Sequence, residues 1–206
     1  MEFLAECVVL RIVPYPHPAL RYLSRPVERI DDSLRKYVRE MFDLMYEANG
    51  IGLAANQVGL PFRFFVLNLT ADPAKPEEER VFLNPAIVKR HSSIVGEEGC
   101  LSFPGLYADV QRARKIKVQS YNLDGQSIEV EAVDLFSRAV QHELDHVDGK
   151  LFIDHLGPQL RDQAELKVRT FEIDFRKAQA AGEWPSDDEI LRSLDTLASG
   201  GNVVEP

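Results

Sequence analysis

The sequence predicts an α+β fold in which mostly antiparallel strands surround a central helix, with one helix before the strands and another at the C-terminal end. Three features of the chain support this prediction. Apolar residues recur at helical spacing between residues 34 and 45, and again from about residue 133 onward. Between these stretches, short apolar or alternating segments are separated by turn-forming residues, which is typical of antiparallel strands.

The first helix is predicted after an extended, proline-rich N-terminal stretch. Asp31 or Asp32 can cap its first turn, because a short acidic side chain accepts hydrogen bonds from the free N–H groups there. The Asn49-Gly50 pair is expected to end it, since both residues tolerate the backbone of a C-terminal cap. The apolar positions between these ends keep the spacing of one helical face, at Leu34, Val38, Met41, Phe42 and Met45.

The middle of the chain contains the predicted strands. FRFFVLNL (62–69) is predicted to be a buried strand, because aromatic and branched side chains dominate it. Residues 81–95 predict a strand, a break and a second strand. Residues 109–125 end at Asp124-Gly125, a strong hairpin turn, and the following QSIEVEAV is expected to return as the partner strand.

Helical patterns return in the last third of the chain. The segment from about Val133 to Gly149 is predicted to be helical and carries the sequence QHELDH (141–146). A second long helix is predicted from about Pro158 to Ala181.

The end of the chain differs in composition. Residues 183–206 contain six acidic residues and one basic residue, with only weak helical character. We therefore expect a single catalytic domain over residues 1–182 and an acidic, solvated C-terminal extension over residues 183–206.

Composition and charge exclude several classes of protein. A chain of 206 residues can bury its own hydrophobic core without disulfides. The net charge of −9 argues against a general nucleic-acid binder, which carries a basic surface. No apolar run approaches the length of a membrane span, and neither a signal nor a transit peptide is visible at the N-terminus. We expect a cytoplasmic protein that makes no membrane contact and does not recognise nucleic acid directly.

The sequence QHELDH predicts a metal site. On a helix, His142 and His146 lie one turn apart on the same face, with Glu143 beside the first of them. A catalytic zinc-type site usually takes three protein ligands and leaves one position open, so a third ligand is needed.

Spacing alone leaves the third ligand open. A further histidine six residues after the second is excluded, because Phe152 occupies that position. Glu165 or Glu172 on the following helix would make the chain a zinc peptidase. Cys100, flanked by glycine, could present a thiolate from a strand edge.

Three further features of the sequence have more than one interpretation. A closed structural metal would need a fourth protein ligand, for which Cys7 and His155 are the candidates. Asp145 either orients a ligand or is solvated, and Gln57, taken alone, is best interpreted as a glutamine on a helix surface.

Three motifs in this order resemble those of the peptide deformylase family: GIGLAANQ (50–57), EGCLS (98–102) and QHELDH. The resemblance extends over residues 8–180. It implies that Cys100, His142 and His146 bind one divalent metal, with Fe(II) expected natively and Zn, Ni or Co able to substitute. The family's activity would be the removal of the N-formyl group, as formate, from the N-terminal formylmethionine of newly made polypeptides.

The resemblance also implies roles for the residues around the metal. Glu143 would be the general base, while the side-chain amide of Gln57 and the backbone N–H of Leu101 would stabilise the oxyanion. The substrate would run as an added strand along Ile51 and Gly52. Its methionine side chain would lie against the helix that carries the histidines, for which the candidate wall residues are Leu135, Arg138 and Ala139. The implied partners are N-formylmethionyl nascent polypeptides, with transient ribosome contact left open.

Overall fold

The computed structural model describes residues 10–200, and that part of the chain forms four α-helices and one five-stranded sheet. The helices are α1 (Asp32–Glu47), α2 (Asp134–Val147), α3 (Pro158–Ala180) and α4 (Asp187–Ala198). The strands are β1 (Gly52–Ala54), β2 (Phe64–Leu67), β3 (Arg80–Cys100), β4 (Phe103–Tyr121) and β5 (Ser127–Val133). Every neighbouring pair in the order β1-β2-β3-β4-β5 is antiparallel, so the predicted α+β class is confirmed. Cys7 lies outside the described residues.

Helix α1 forms where the sequence predicts it. The Asp31 carboxylate accepts a hydrogen bond from the backbone N–H of Leu34 at 3.0 Å, which caps the first turn. All five predicted apolar positions are buried, and they pack against residues of β1 and β2, including Leu53 and Phe64. Asn49 follows the helix with a φ of 55°, the left-handed conformation that ends it.

The prediction of two strands over residues 81–95 is wrong, because β3 runs through this segment without ending. The expected break is a bulge between Leu83 and Ala86, after which pairing with β4 resumes. Asn84 has a φ of 51° there, and its side-chain amide bonds to both backbone groups of Val27. Pro85, which has no backbone N–H, and the anchored Asn84 together explain why the pairing is interrupted here by a bulge and the strand continues beyond it.

The β3–β4 hairpin is the element that positions the site. Its two strands meet at a two-residue turn, Leu101-Ser102, with Cys100 paired to Phe103 across the turn. Helix α2 packs on the same sheet, where Val140, Leu144 and Val147 contact buried residues of β2 and β4. The tip of the hairpin and the histidine-bearing helix are thereby brought to one place.

Among residues 10–200, none of the helices combines the length and the apolar character needed to cross a bilayer.

The prediction that the acidic C-terminal segment is solvated is wrong for residues 187–198. Helix α4 buries Ile190 and Leu194 against Ala19 and Phe175. Its first turn contains three of its four acidic residues, where the helix dipole favours negative charge, so the acidity of the segment does not oppose docking. Where the catalytic domain ends stays a prediction.

We expect Leu194→Ala to lower the free energy of unfolding by about 2 kcal/mol, the low end for a buried leucine, because α4 buries only two of its residues. Leu191→Ala is the matched control, since Leu191 is on the same helix and 40% exposed. Urea unfolding monitored by circular dichroism measures both variants. Equal destabilisation would contradict the docking of α4.

Candidate metal centre

Three predicted ligands meet at one point between the hairpin and α2. The side-chain donor atoms of Cys100, His142 and His146 all lie within 4.8 Å of one another, and they are the only such group of three or more among residues 10–200. The Cys100 Sγ is 3.3 Å from the Nε2 of His146. The histidine rings are 4.9 Å apart at their centroids, as expected for residues one turn apart on a helix.

The orientation of His142 is set by a buried carboxylate. The Nδ1 of His142 lies 3.0 Å from the Oε2 of Glu98, which is 5% exposed. Because an ionised carboxylate only accepts hydrogen bonds, this contact places a ring proton on Nδ1, so Nε2 is the nitrogen that can serve the cluster.

Glu98 has four hydrogen bonds, which is the capacity of a carboxylate. Oε1 accepts from Nε of Arg112 and from Nη1 of Arg138, both at 2.8 Å. Oε2 accepts from Nη2 of Arg112 at 2.9 Å and from His142. Burial alone would raise the pKa of Glu98, but the hydrogen bonds from Arg112 and His142 outweigh it and hold that pKa well below the usual range.

Asp145 extends the network on the far side of Arg112. Its Oδ2 accepts hydrogen bonds from Nη1 of Arg112 and, at 2.6 Å, from Nε2 of His155. The choice left open by the sequence is therefore resolved, since Asp145 is linked to His142 through Arg112 and Glu98.

The sequence interpretation assigned no role to Glu98 or Arg112. Glu98 is the first residue of EGCLS, so its place in that motif was an available signal. Arg112 lies in a charged strand with no pattern that distinguishes it from its neighbours.

His146 is held differently from His142. The Asn56 side-chain amide donates to the backbone carbonyl of His146, which ties the helix to the GIGLAANQ segment. Burial, followed by the positive charges of His142 and Arg112, keeps the pKa of His146 well below its ordinary value. These effects favour the neutral form of His146, the form whose ring nitrogen can bind a metal.

The cluster fits a divalent cation. Burial would lower the pKa of His142, but hydrogen bonds with Cys100 and Glu98 raise that pKa well above its ordinary value. One thiolate and two imidazoles are donors that divalent first-row metals accept, and three protein ligands leave a position open.

Gln57 is buried at the centre of the site, so its interpretation as a helix-surface residue is wrong. It is 1% exposed and lies in a 3₁₀ turn, Ala55–Val58. Its Oε1 accepts from the backbone N–H of Ala54 at 2.9 Å, which fixes the amide. Its Nε2 therefore points to the cluster, 3.4 Å from both the Cys100 Sγ and the Ser102 Oγ.

Glu143 faces the cleft next to Gly52. Its Oε2 is buried and has no hydrogen-bond partner among the described residues. A Cβ on Gly52 would lie 2.4 Å from the Oε1 of Glu143, so only glycine permits β1 to approach this carboxyl group. Burial is the main cause that raises the pKa of Glu143 to about 7.

A cleft of about 560 Å³ opens onto the cluster. Leu101, at the hairpin turn, also lines it. All five residues predicted to contact substrate are among its lining residues: Ile51, Gly52, Leu135, Arg138 and Ala139. Arg138 is only 11% exposed at its side chain, and its guanidinium group bonds to Glu98.

The other candidate ligands lie apart from the cluster. Glu165 pairs with Arg169 on α3, and Glu172 accepts a hydrogen bond from the hydroxyl of Tyr15. His155 is bonded to Asp145. The peptidase alternative, with a glutamate of α3 as third ligand, therefore has no support in this arrangement.

Comparison with known proteins decides the family. The model of the polypeptide deformylase family matches residues 9–162. The chain belongs to this family.

Relatives resemble the chain over most of its length. A peptide deformylase of Rhodopirellula baltica is 42% identical over 197 residues, which cover 94% of this chain and 98% of the relative. One of Brucella suis is 45% identical over 77% of this chain and 90% of the relative. The solved peptide deformylase of Plasmodium falciparum superposes with a TM-score of 0.79 at 39% identity, covering 81% of this chain and 98% of that one. The deformylase family is metal-dependent, which agrees with the donor cluster.

Glu98→Gln should raise the metal dissociation constant about 10- to 100-fold, the usual cost of losing the group that orients a histidine ligand. A neutral amide cannot accept from both arginines and from His142 together. Competition with a chelator measures the constant. Glu97→Gln is the control, because Glu97 is the exposed neighbour on β3. Unchanged metal affinity in Glu98→Gln would show that this carboxylate does not support the site.

Proposed function

We propose that this chain is a peptide deformylase, a metallohydrolase that removes the formyl group, as formate, from the N-terminal formylmethionine of newly made polypeptides. The observation that carries the proposal is the cluster of Cys100, His142 and His146, which lies beside the buried Glu143 at the base of a cleft. A protein of the deformylase family with this donor set has the groups needed to hydrolyse a linear amide.

Cys100, His142 and His146 would hold one divalent metal. Fe(II) is the expected native ion, and Zn, Ni or Co could replace it, since a thiolate and two imidazoles suit all four. When bound, such an ion polarises a carbonyl oxygen and lowers the pKa of a coordinated water.

Glu143 moves the proton in the reaction. Its carboxylate takes a proton from the water that attacks the formyl carbon. As the carbon–nitrogen bond breaks, Glu143 passes this proton to the leaving amine, and formate departs. Its position between Gly52 and the cluster, without a competing hydrogen bond, supports this role.

Gln57 and Leu101 stabilise the oxygen that becomes negative during the attack. The Gln57 amide is fixed by Ala54, so its N–H groups are oriented toward the cluster before substrate arrives. Donors that need no rearrangement are the most effective in stabilising a transition state. The backbone N–H of Leu101, at the hairpin turn beside Cys100, is the proposed second donor.

The substrate peptide would lie as an added strand along Ile51 and Gly52. Its methionine side chain would enter the end of the cleft formed by Leu135, Arg138 and Ala139. The aliphatic stem of Arg138 can line this pocket because its guanidinium is engaged by Glu98.

The remaining properties follow from the proposed substrate. Nascent polypeptides are made in the cytoplasm of bacteria, so we propose that location and a transient contact with the ribosome. The net charge of −9 disfavours direct recognition of nucleic acid. We propose no membrane contact.

Formate release from a short formyl-Met peptide tests the function. The protein is purified anaerobically, loaded with Fe(II) or Ni(II), and compared with Cys100→Ser and Glu143→Ala. We expect release by the wild type and loss in both variants, since one removes a metal ligand and the other the base. A metal-loaded, folded wild type that releases no formate would reject the proposal.

A further inference from the structure

Arg138 connects three parts of the molecule. From α2, its Nη1 donates to the Oε1 of Glu98 at 2.8 Å and to the backbone carbonyl of Val110, on β4, at 2.9 Å. Its Nη2 donates to the backbone carbonyl of Ile94, on β3, at 3.2 Å. One guanidinium group therefore bonds to both strands of the hairpin and to the carboxylate that orients His142.

The guanidinium also lies directly against the hairpin backbone. A Cβ built on Gly96 would be 2.9 Å from Nη2 of Arg138 and 3.2 Å from its guanidinium carbon. Gly96 pairs with Val110 across the hairpin, so the group sits over this pair and bonds to the carbonyl of one member. Such contacts need a planar fork of donors, which lysine does not have.

Arg138 lines the cleft and also bonds to the carboxylate that orients His142. Leu135 and Ala139 line the cleft from α2, whereas Glu97 and Gly99 line it from β3. Arg138 spans the gap between these two walls and ends on Glu98, whose other oxygen bonds to His142.

We propose that Arg138 is a positioning residue with two linked effects. It holds Glu98 in place for His142, and it fixes the spacing of the two walls that enclose the side chain of the formylated residue. The second effect rests on the proposed function, whereas the first concerns the metal centre alone.

The test compares Arg138→Met and Arg138→Lys with the wild type in two measurements. The first is the Co(II) dissociation constant, determined by chelator competition. The second is the ratio of kcat/KM for formyl-Met over formyl-Ala peptides. We expect Arg138→Met to raise the constant about tenfold and to lower the ratio about tenfold, because a loosened wall discriminates less between side chains. Arg138→Lys should restore part of the metal affinity but not the ratio, since it keeps the charge and loses the fork.

Arg169→Met is the matched control, because Arg169 is an exposed arginine that also pairs with a carboxylate, that of Glu165. It should leave both measurements unchanged.

Gly96→Ala displaces the guanidinium without altering its charge, because its Cβ would meet the end of the Arg138 side chain. We expect changes in the same direction as Arg138→Met, but smaller. Adding Gly96→Ala to Arg138→Met should cause no further change, since the group it displaces is then absent.

The outcomes are separable. The proposal is overturned if Arg138→Met has the wild-type Co(II) dissociation constant and the wild-type kcat/KM ratio of formyl-Met over formyl-Ala peptides. It is also overturned if this kcat/KM ratio falls while the Co(II) dissociation constant is unchanged. If Arg138→Met does not fold, Gly96→Ala decides, and wild-type values there overturn the proposal. If the wild type deformylates no peptide, the proposed function fails, while the Co(II) constant still tests the link from Arg138 to Glu98.

Discussion

The candidate metal centre depends on one buried carboxylate, that of Glu98. Two arginines from different elements and one histidine saturate it, so an ionised group exists where burial alone would neutralise it. Removing one partner of a buried charged group strongly destabilises a protein, because the remaining charge is then unpaired in the interior. This charged network thus orients a single imidazole, that of His142.

The fold supplies the geometry that this network stabilises. The long β3–β4 hairpin carries Cys100 to its turn and Glu98 two residues earlier, while α2 presents both histidines on one face. Since α2 packs on the sheet that includes the hairpin, their relative position is set by ordinary hydrophobic contacts. Arg138 adds hydrogen bonds from α2 to both strands of the hairpin. Gly52 allows β1 to lie close to Glu143.

Local pattern predicted the elements well and the network poorly. Helices α1 and α2 follow from apolar periodicity and end signals, and motif spacing with family resemblance indicated the three donor residues that the fold brings together. The partnership of Glu98 with His142 spans 44 residues and is created by tertiary packing, which no local pattern encodes. The docking of α4 was missed for a related reason, since its acidic composition obscured two apolar positions, Ile190 and Leu194, at helical spacing. The bulge at Asn84 was mistaken for the end of a strand.

X-ray absorption at the zinc edge of the zinc-loaded protein would most directly test whether the hairpin turn and α2 form one metal site. We predict a coordination shell with one sulfur at about 2.3 Å and two imidazole nitrogens at about 2.0 Å. The sulfur contribution should disappear in Cys100→Ser. A shell of nitrogen and oxygen alone in the wild type would contradict this assignment of the third ligand and would place the metal away from the hairpin.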